Sequence, residues 1–124
     1  MYKVFIKTHF SSAHYLRDYP GNCEYLHGHN WDVKITVRAK KLDKIDVAID
    51  FRDLKGIASK IMNELDHKNL NELPQFSKVN PSSERLAEYI YNRVKEELAD
   101  FDGVFADSVE VRETPSAGII YCED

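Results

Sequence analysis

Three histidines, His14, His27 and His29, carry the clearest chemical potential in this sequence. His27 and His29 are two apart, and side chains two apart on a β-strand project from the same face. His14 lies just beyond a first β-rich stretch that can pair antiparallel with the strand holding the other two, which brings it alongside. Three neutral imidazoles converging in this way suit a borderline-soft divalent ion, most often zinc, with a fourth position open to water or substrate. Gly28 between them lets backbone or ligand approach closely. Isolated histidines are commonly surface or hydrogen-bonded residues. Here, however, His27 and His29 lead the apolar parity of the strand, where an unpaired imidazole is costly to bury and coordination satisfies it.

Three further groups have chemistry at useful spacing. Cys23 precedes His27 by four positions in the turn-rich segment Arg17-Asp18-Tyr19-Pro20-Gly21-Asn22, which argues against deep core burial. It can act as a fourth ligand closing a structural Cys-His₃ site, or as a thiolate base whose pKa the nearby cation lowers. Leu65-Asp66-His67 sets a carboxylate beside an imidazole, an arrangement that orients a proton carrier; a histidine also simply favours the negative end of a helix. Glu113 shares parity with Val109 and Val111, so it points to the apolar side and needs a partner. A flat ligand with two adjacent N–H donors would serve, as would a Lys or Arg elsewhere, whereas Arg112 faces the other way.

The elements that must position these groups follow from periodicity. Tyr2 to Phe10 reads as a strand, and alternation from His27 to Ala39 predicts a long half-buried one. After Asp50 the spacing of Leu54, Ile57, Ala58, Ile61, Met62 and Leu65 predicts a helix, capped by Asp50 or Asp53. A second helix is predicted from Pro81-Ser82-Ser83-Glu84, with Ser82 as N-cap, a stripe of Leu86, Ile90, Val94 and Leu98, and an end near Gly103. Val109 and Val111 begin a strand that Thr114-Pro115-Ser116 interrupts before Gly118 to Tyr121. The order strand, strand, helix, helix, strand, strand predicts an α+β fold with both helices on one face of an antiparallel sheet.

Composition narrows the function classes. A length of 124 residues suits one domain, 1–124. Seventeen basic against 21 acidic residues give a net charge of −4, so a nucleic-acid footprint is not expected. The longest apolar run, Ile119 to Cys122, is far short of the roughly 20 residues of a membrane helix, so no membrane partner is expected. No leader-like segment is recognised, and two cysteines, Cys23 and Cys122, cannot make a disulfide framework; a reduced, cytoplasmic protein is expected. Cys122 lies in no motif and reads as a packing residue.

Taken together, Phe10-Ser11-Ser12-Ala13-His14-Tyr15-Leu16, Cys23-Glu24-Tyr25-Leu26-His27-Gly28-His29, Ile49-Asp50-Phe51-Arg52-Asp53-Leu54-Lys55, Leu65-Asp66-His67-Lys68-Asn69-Leu70-Asn71, Asn80-Pro81-Ser82-Ser83-Glu84 and Val111-Arg112-Glu113-Thr114 resemble the 6-pyruvoyltetrahydropterin synthase family. That family includes the 6-carboxytetrahydropterin synthases of queuosine biosynthesis, and the resemblance runs nearly the whole length in order. It implies the tunnelling (T) fold, a four-stranded antiparallel sheet with two helices inserted between strands 2 and 3, closing into an oligomeric barrel. A homohexamer, a dimer of trimers with active sites between subunits, is implied as well. By resemblance, His14, His27 and His29 hold Zn²⁺, Cys23 is the catalytic base, and Asp66 with His67 completes the proton relay. Glu113 anchors the pterin, and Ser82, Ser83 and Glu84 line its pocket.

The implied substrate is 7,8-dihydroneopterin triphosphate, and the implied product is 6-carboxy-5,6,7,8-tetrahydropterin or 6-pyruvoyltetrahydropterin. Glu24 complicates the choice, because relatives with a glutamate base cleave the side chain to 6-hydroxymethyl-dihydropterin for folate synthesis. From a different class, a non-enzymatic zinc-stabilised oligomeric module with Cys23 as fourth ligand remains open.

Overall fold

β-Branched and aromatic residues alternating with polar ones build two 13-residue strands, β1 (Tyr2–His14) and β2 (His27–Ala39). Their antiparallel register runs without interruption from Tyr2↔Ala39 to His14↔His27. The computed structural model describes residues 1–18 and 25–123; Cys23 and Glu24 lie outside them.

β1 continues past Phe10, where the sequence pattern stops predicting a strand. Ser11, Ser12 and Ala13 have little intrinsic β preference, but neighbours impose it. Along the outer edge of β1, His67 N donates to Ser11 O at 2.6 Å and Ala13 N donates to Lys68 O at 2.9 Å. Ser12 Oγ donates to Leu65 O. His14 is therefore the last residue of the strand and not a loop residue beyond it.

Helix α1 (Phe51–Leu65) starts where Asp50 accepts from Arg52 N at 2.8 Å, so Asp50 is the cap. Helix α2 (Ser83–Glu97) starts where Ser82 Oγ accepts from Arg85 N at 3.2 Å. It ends short of Gly103, giving way to a 3₁₀ turn, Leu98–Asp100. Gly103, at φ 73°, then allows the turn into β3 (Val104–Thr114), which a side chain would strain. β4 (Ala117–Tyr121) completes a sheet of order β1-β2-β3-β4, all antiparallel.

Between Thr36↔Ser108 and Val37↔Ala106 the β2–β3 register shifts, leaving Asp107 as the extra residue. Such a bulge reverses parity, which is why Ala106 and Val109, of opposite parity, are both buried. One face of the sheet, with Phe10, Trp31, Ile35 and Val111, packs on Leu54, Ile61, Leu65, Leu86, Ile90 and Val94 of the helices. The other face carries Phe5, Lys34, Arg38 and Arg112 and has no helix over it among the described residues. This is the α+β arrangement expected, with two helices inserted between the second and third strands. No helix among the described residues is long and apolar enough to cross a membrane.

Candidate metal centre and proton relay

The β1–β2 register sets the three histidines at one end of the sheet, on its helix-covered face. His14 is directly opposite His27, and Ser12 is opposite His29. The ring centroids lie 4.7 Å apart for His14–His27, 4.7 Å for His27–His29 and 5.2 Å for His14–His29. One ligand nitrogen from each falls within 4.8 Å of the others. Trp31, two residues on, forms the floor, its ring edge-on to His14 at 4.9 Å.

Backbone carbonyls decide which nitrogen two of these rings present. His14 Nδ1–H donates to Pro81 O at 2.7 Å, and His27 Nδ1–H donates to Tyr25 O at 2.7 Å. Each hydrogen bond fixes the tautomer and leaves Nε2 with its lone pair free, the usual way a metal-binding histidine is oriented. His14 is only 2% exposed. Burial, the largest influence, pushes its pKa below the ordinary value, and the neighbouring His27 and His29 act in the same direction. A neutral imidazole is the form that ligates. A tetrahedral zinc with bonds of about 2.0–2.1 Å needs ligand nitrogens somewhat over 3 Å apart, a closure that small ring rotations supply. The donor set therefore fits such an ion.

Glu113, near the end of β3, stands beside this cluster. Its Oε1 accepts from Ser83 Oγ at 2.7 Å, and its Oε2 is 3.8 Å from His29 Nε2. The side chain is 37% exposed. No Lys or Arg among the described residues pairs with it, and Arg112 turns to Glu110 at 2.8 Å on the other face. Of the serines that the sequence singled out, Ser82 caps α2 and Ser83 reaches Glu113, while Glu84 is exposed in the first helical turn.

Asp66 and His67 follow α1. His67 adopts φ 55°, an uncommon conformation for a residue with a side chain. His67 Nδ1 lies 2.8 Å from Asp66 Oδ2, while Asp66 Oδ1 accepts from Ser11 N at 2.8 Å. The Ser11 amide and then the His67 ring hold the Asp66 carboxyl below the ordinary carboxylate value. The His67 side chain is 83% exposed, so nothing among the described residues encloses it. A shallow depression of about 350 Å³, bounded by Ser11, Gly28, His29, Asn30 and His67, has one residue of the pair and one of the three histidines on its wall. Larger cavities of about 510 and 590 Å³ surround Arg38, Gly103 and Phe105 and contain no histidine.

Sequence reading missed the backbone partners: Pro81 O, Tyr25 O and Ser11 N leave no mark in residue type. Proline immediately before the α2 cap is the one signal available, because it fixes the chain direction at that point.

The family model described as 6-pyruvoyl tetrahydropterin synthase matches residues 3–124. A 6-carboxy-5,6,7,8-tetrahydropterin synthase of Bacillus subtilis (strain 168) is 33% identical over 119 residues, covering 91% of this chain and 80% of that protein. A protein of the same name from Rickettsia conorii is 26% identical over 133 residues, covering 94% and 96%. The solved Caenorhabditis elegans 6-pyruvoyl tetrahydropterin synthase superposes with a TM-score of 0.87 at 24% identity, covering 99% of this chain and 96% of that one, a likeness of fold.

Proposed function

Because the chain belongs to the 6-pyruvoyl tetrahydropterin synthase family, we propose that it is a zinc-dependent lyase acting on 7,8-dihydroneopterin triphosphate. The product we assign is 6-carboxy-5,6,7,8-tetrahydropterin, formed with loss of triphosphate and acetaldehyde. Relatives named for that product match 91% and 94% of this chain, a fuller span than the 82% and 63% matched by pyruvoyl-named relatives of 33% and 40% identity, and that span supports the choice. The observation that carries the reading is the convergence of His14, His27 and His29 with Nε2 of two rings left free by carbonyls.

His14, His27 and His29 would hold the ion. When bound, it would supply Lewis-acid polarisation and a template for the two neighbouring side-chain hydroxyls of the substrate. Glu113, steadied by Ser83, would accept hydrogen bonds from the 2-amino group and ring N–H of the pterin, a planar donor pair that matches one carboxylate. Ser82 and Glu84 would bound that pocket. Cys23, as thiolate, would remove a carbon-bound proton; with Glu24 beside it in sequence, either residue is available as base. His67, its Nδ1 engaged by Asp66, would exchange a proton through Nε2.

The exposure of His67 favours a site completed by a neighbouring chain, so the working form is read as a homohexamer of T-fold subunits, each formed by residues 1–124 as one domain, in the cytoplasm. Incubating the purified protein with zinc and 7,8-dihydroneopterin triphosphate, and identifying products by mass spectrometry, tests the proposal. Carboxytetrahydropterin and acetaldehyde are expected. 6-Hydroxymethyl-dihydropterin as the main product would transfer the assignment to folate-type cleavage, and no turnover would overturn it.

A further inference from the structure

Residues 15 and 17, immediately after the ligand His14, are bound by two asparagines acting as substitute strand partners. Asn71 Oδ1 accepts from Tyr15 N at 2.9 Å and its Nδ2 donates to Tyr15 O at 3.0 Å. Asn80 repeats the pattern on Arg17, with Oδ1 accepting from Arg17 N at 2.8 Å and Nδ2 donating to Arg17 O at 3.1 Å. The guanidinium of Arg17 then turns back on the same segment. Its Nη1 donates to Phe76 O at 3.1 Å and Val79 O at 2.9 Å, and its Nη2 donates to Asn71 O at 3.2 Å.

Arg17 has no carboxylate partner among the described residues. Its charge is met by carbonyl dipoles: Asn71 in the 3₁₀ turn Leu70–Glu72, Phe76 closing the turn Pro74–Phe76, and Val79 two residues before Pro81. The planar fork meets the three carbonyls through two nitrogens in fixed geometry, where lysine would offer one ammonium nitrogen. The consequence falls on His14. The backbone that follows this ring is held by the Asn71 and Asn80 side chains, and the segment leading to the Pro81 carbonyl is held at Val79 O by the Arg17 guanidinium.

We propose that Arg17, with Asn71 and Asn80, is a positioning residue of the metal centre: it sets the Pro81 carbonyl against His14 Nδ1 and so presents Nε2 to the ion. The inference rests on the metal-binding reading of the three histidines, yet it makes a claim about the metal-free protein too. Outer-shell partners of ligands, when lost, weaken metal binding by about 10- to 100-fold.

Arg17→Met, Arg17→Lys and Asn80→Ala are compared with Arg93→Met, which removes a guanidinium bridging Glu64 and Glu97 on the two helices. Two-bond ¹H–¹⁵N spectra of the metal-free proteins report the His14 tautomer, and competition with a chromophoric chelator reports zinc affinity. Wild type and Arg93→Met should show Nδ1–H at His14 and equal affinity, although Arg93→Met melts lower. Arg17→Met should show mixed tautomers and affinity weakened by about 10- to 100-fold, with Arg17→Lys between. Should Arg17→Met fail to fold, Asn80→Ala, which keeps the guanidinium, reports instead. Retention of the Nδ1–H tautomer and wild-type affinity in the Arg17 and Asn80 variants overturns the proposal. A wild type that takes up no zinc overturns the metal reading, while the tautomer comparison still decides the role of Arg17.

Discussion

Ser83 and Glu113 are joined by a 2.7 Å hydrogen bond between the first turn of α2 and the end of β3. It restrains a carboxylate that has no Lys or Arg partner among the described residues. A hydrogen bond to a charged group contributes about 1.5–3 kcal/mol, and the part-exposure of Glu113 argues for the lower end. Ser83→Ala should therefore raise KM about tenfold with kcat little changed, measured by steady-state kinetics. An unchanged KM would detach Glu113 from substrate binding.

Removing any one of the three histidines should abolish stoichiometric zinc. His27→Ala and His29→Ala, read by elemental analysis, are expected to lose the metal and activity together. Chelation of the wild type should do the same, with activity restored by zinc alone.

Cys23→Ala separates the enzyme from a structural zinc module. If Cys23 is a base, the variant retains zinc and its melting temperature but loses turnover. If it is a fourth structural ligand, the variant loses zinc and unfolds, because structural zinc contributes directly to folding.

Asp66→Asn keeps an oxygen for the Ser11 amide but removes the charge facing His67 Nδ1. A fall in kcat of about 10- to 100-fold is expected, below the full range for a lost general acid or base, since His67 itself remains. Steady-state kinetics across pH check this. A profile identical to wild type would place the proton step elsewhere.

Stability should fall in acid below the ordinary carboxylate range. Asp66 is held low first by the Ser11 amide, and Glu64 first by Arg93, which reaches it at 2.7 Å. A carboxyl with a lowered folded-state pKa contributes stability that is present above its unfolded value and lost as pH falls through the folded one. Thermal melts from pH 6 to pH 3 check this, and Arg93→Met should flatten the Glu64 share of the slope.

Parity made much of the site legible before any coordinates. His27, His29 and Trp31 share the core face because a strand alternates, and the uninterrupted register brings His14 opposite His27. Asp50 and Ser82 are the caps that their residue types suggest. What stayed hidden depends on chain segments far apart in sequence. The extension of β1 through Ser11 to His14 is imposed by residues 67 and 68. The bulge at Asp107 is a property of two strands together. Glu113 looked buried by parity alone, whereas its side chain is 37% exposed, at the point where the β3–β4 register shifts between Arg112 and Thr114. The roles of Arg17, Asn71 and Asn80 lie in reciprocal bonds to backbone, which no local motif announces.

The hydrogen bond from His14 to Pro81 closes a loop of 67 positions. In an emerging polypeptide all three histidines are available early, well before Pro81. The His14 ring acquires its committed tautomer only after α1 and the following turns have docked. If the three histidines hold an ion, its uptake should thus come late in maturation and serve as a checkpoint: a chain that has captured the ion has also closed this 67-position loop.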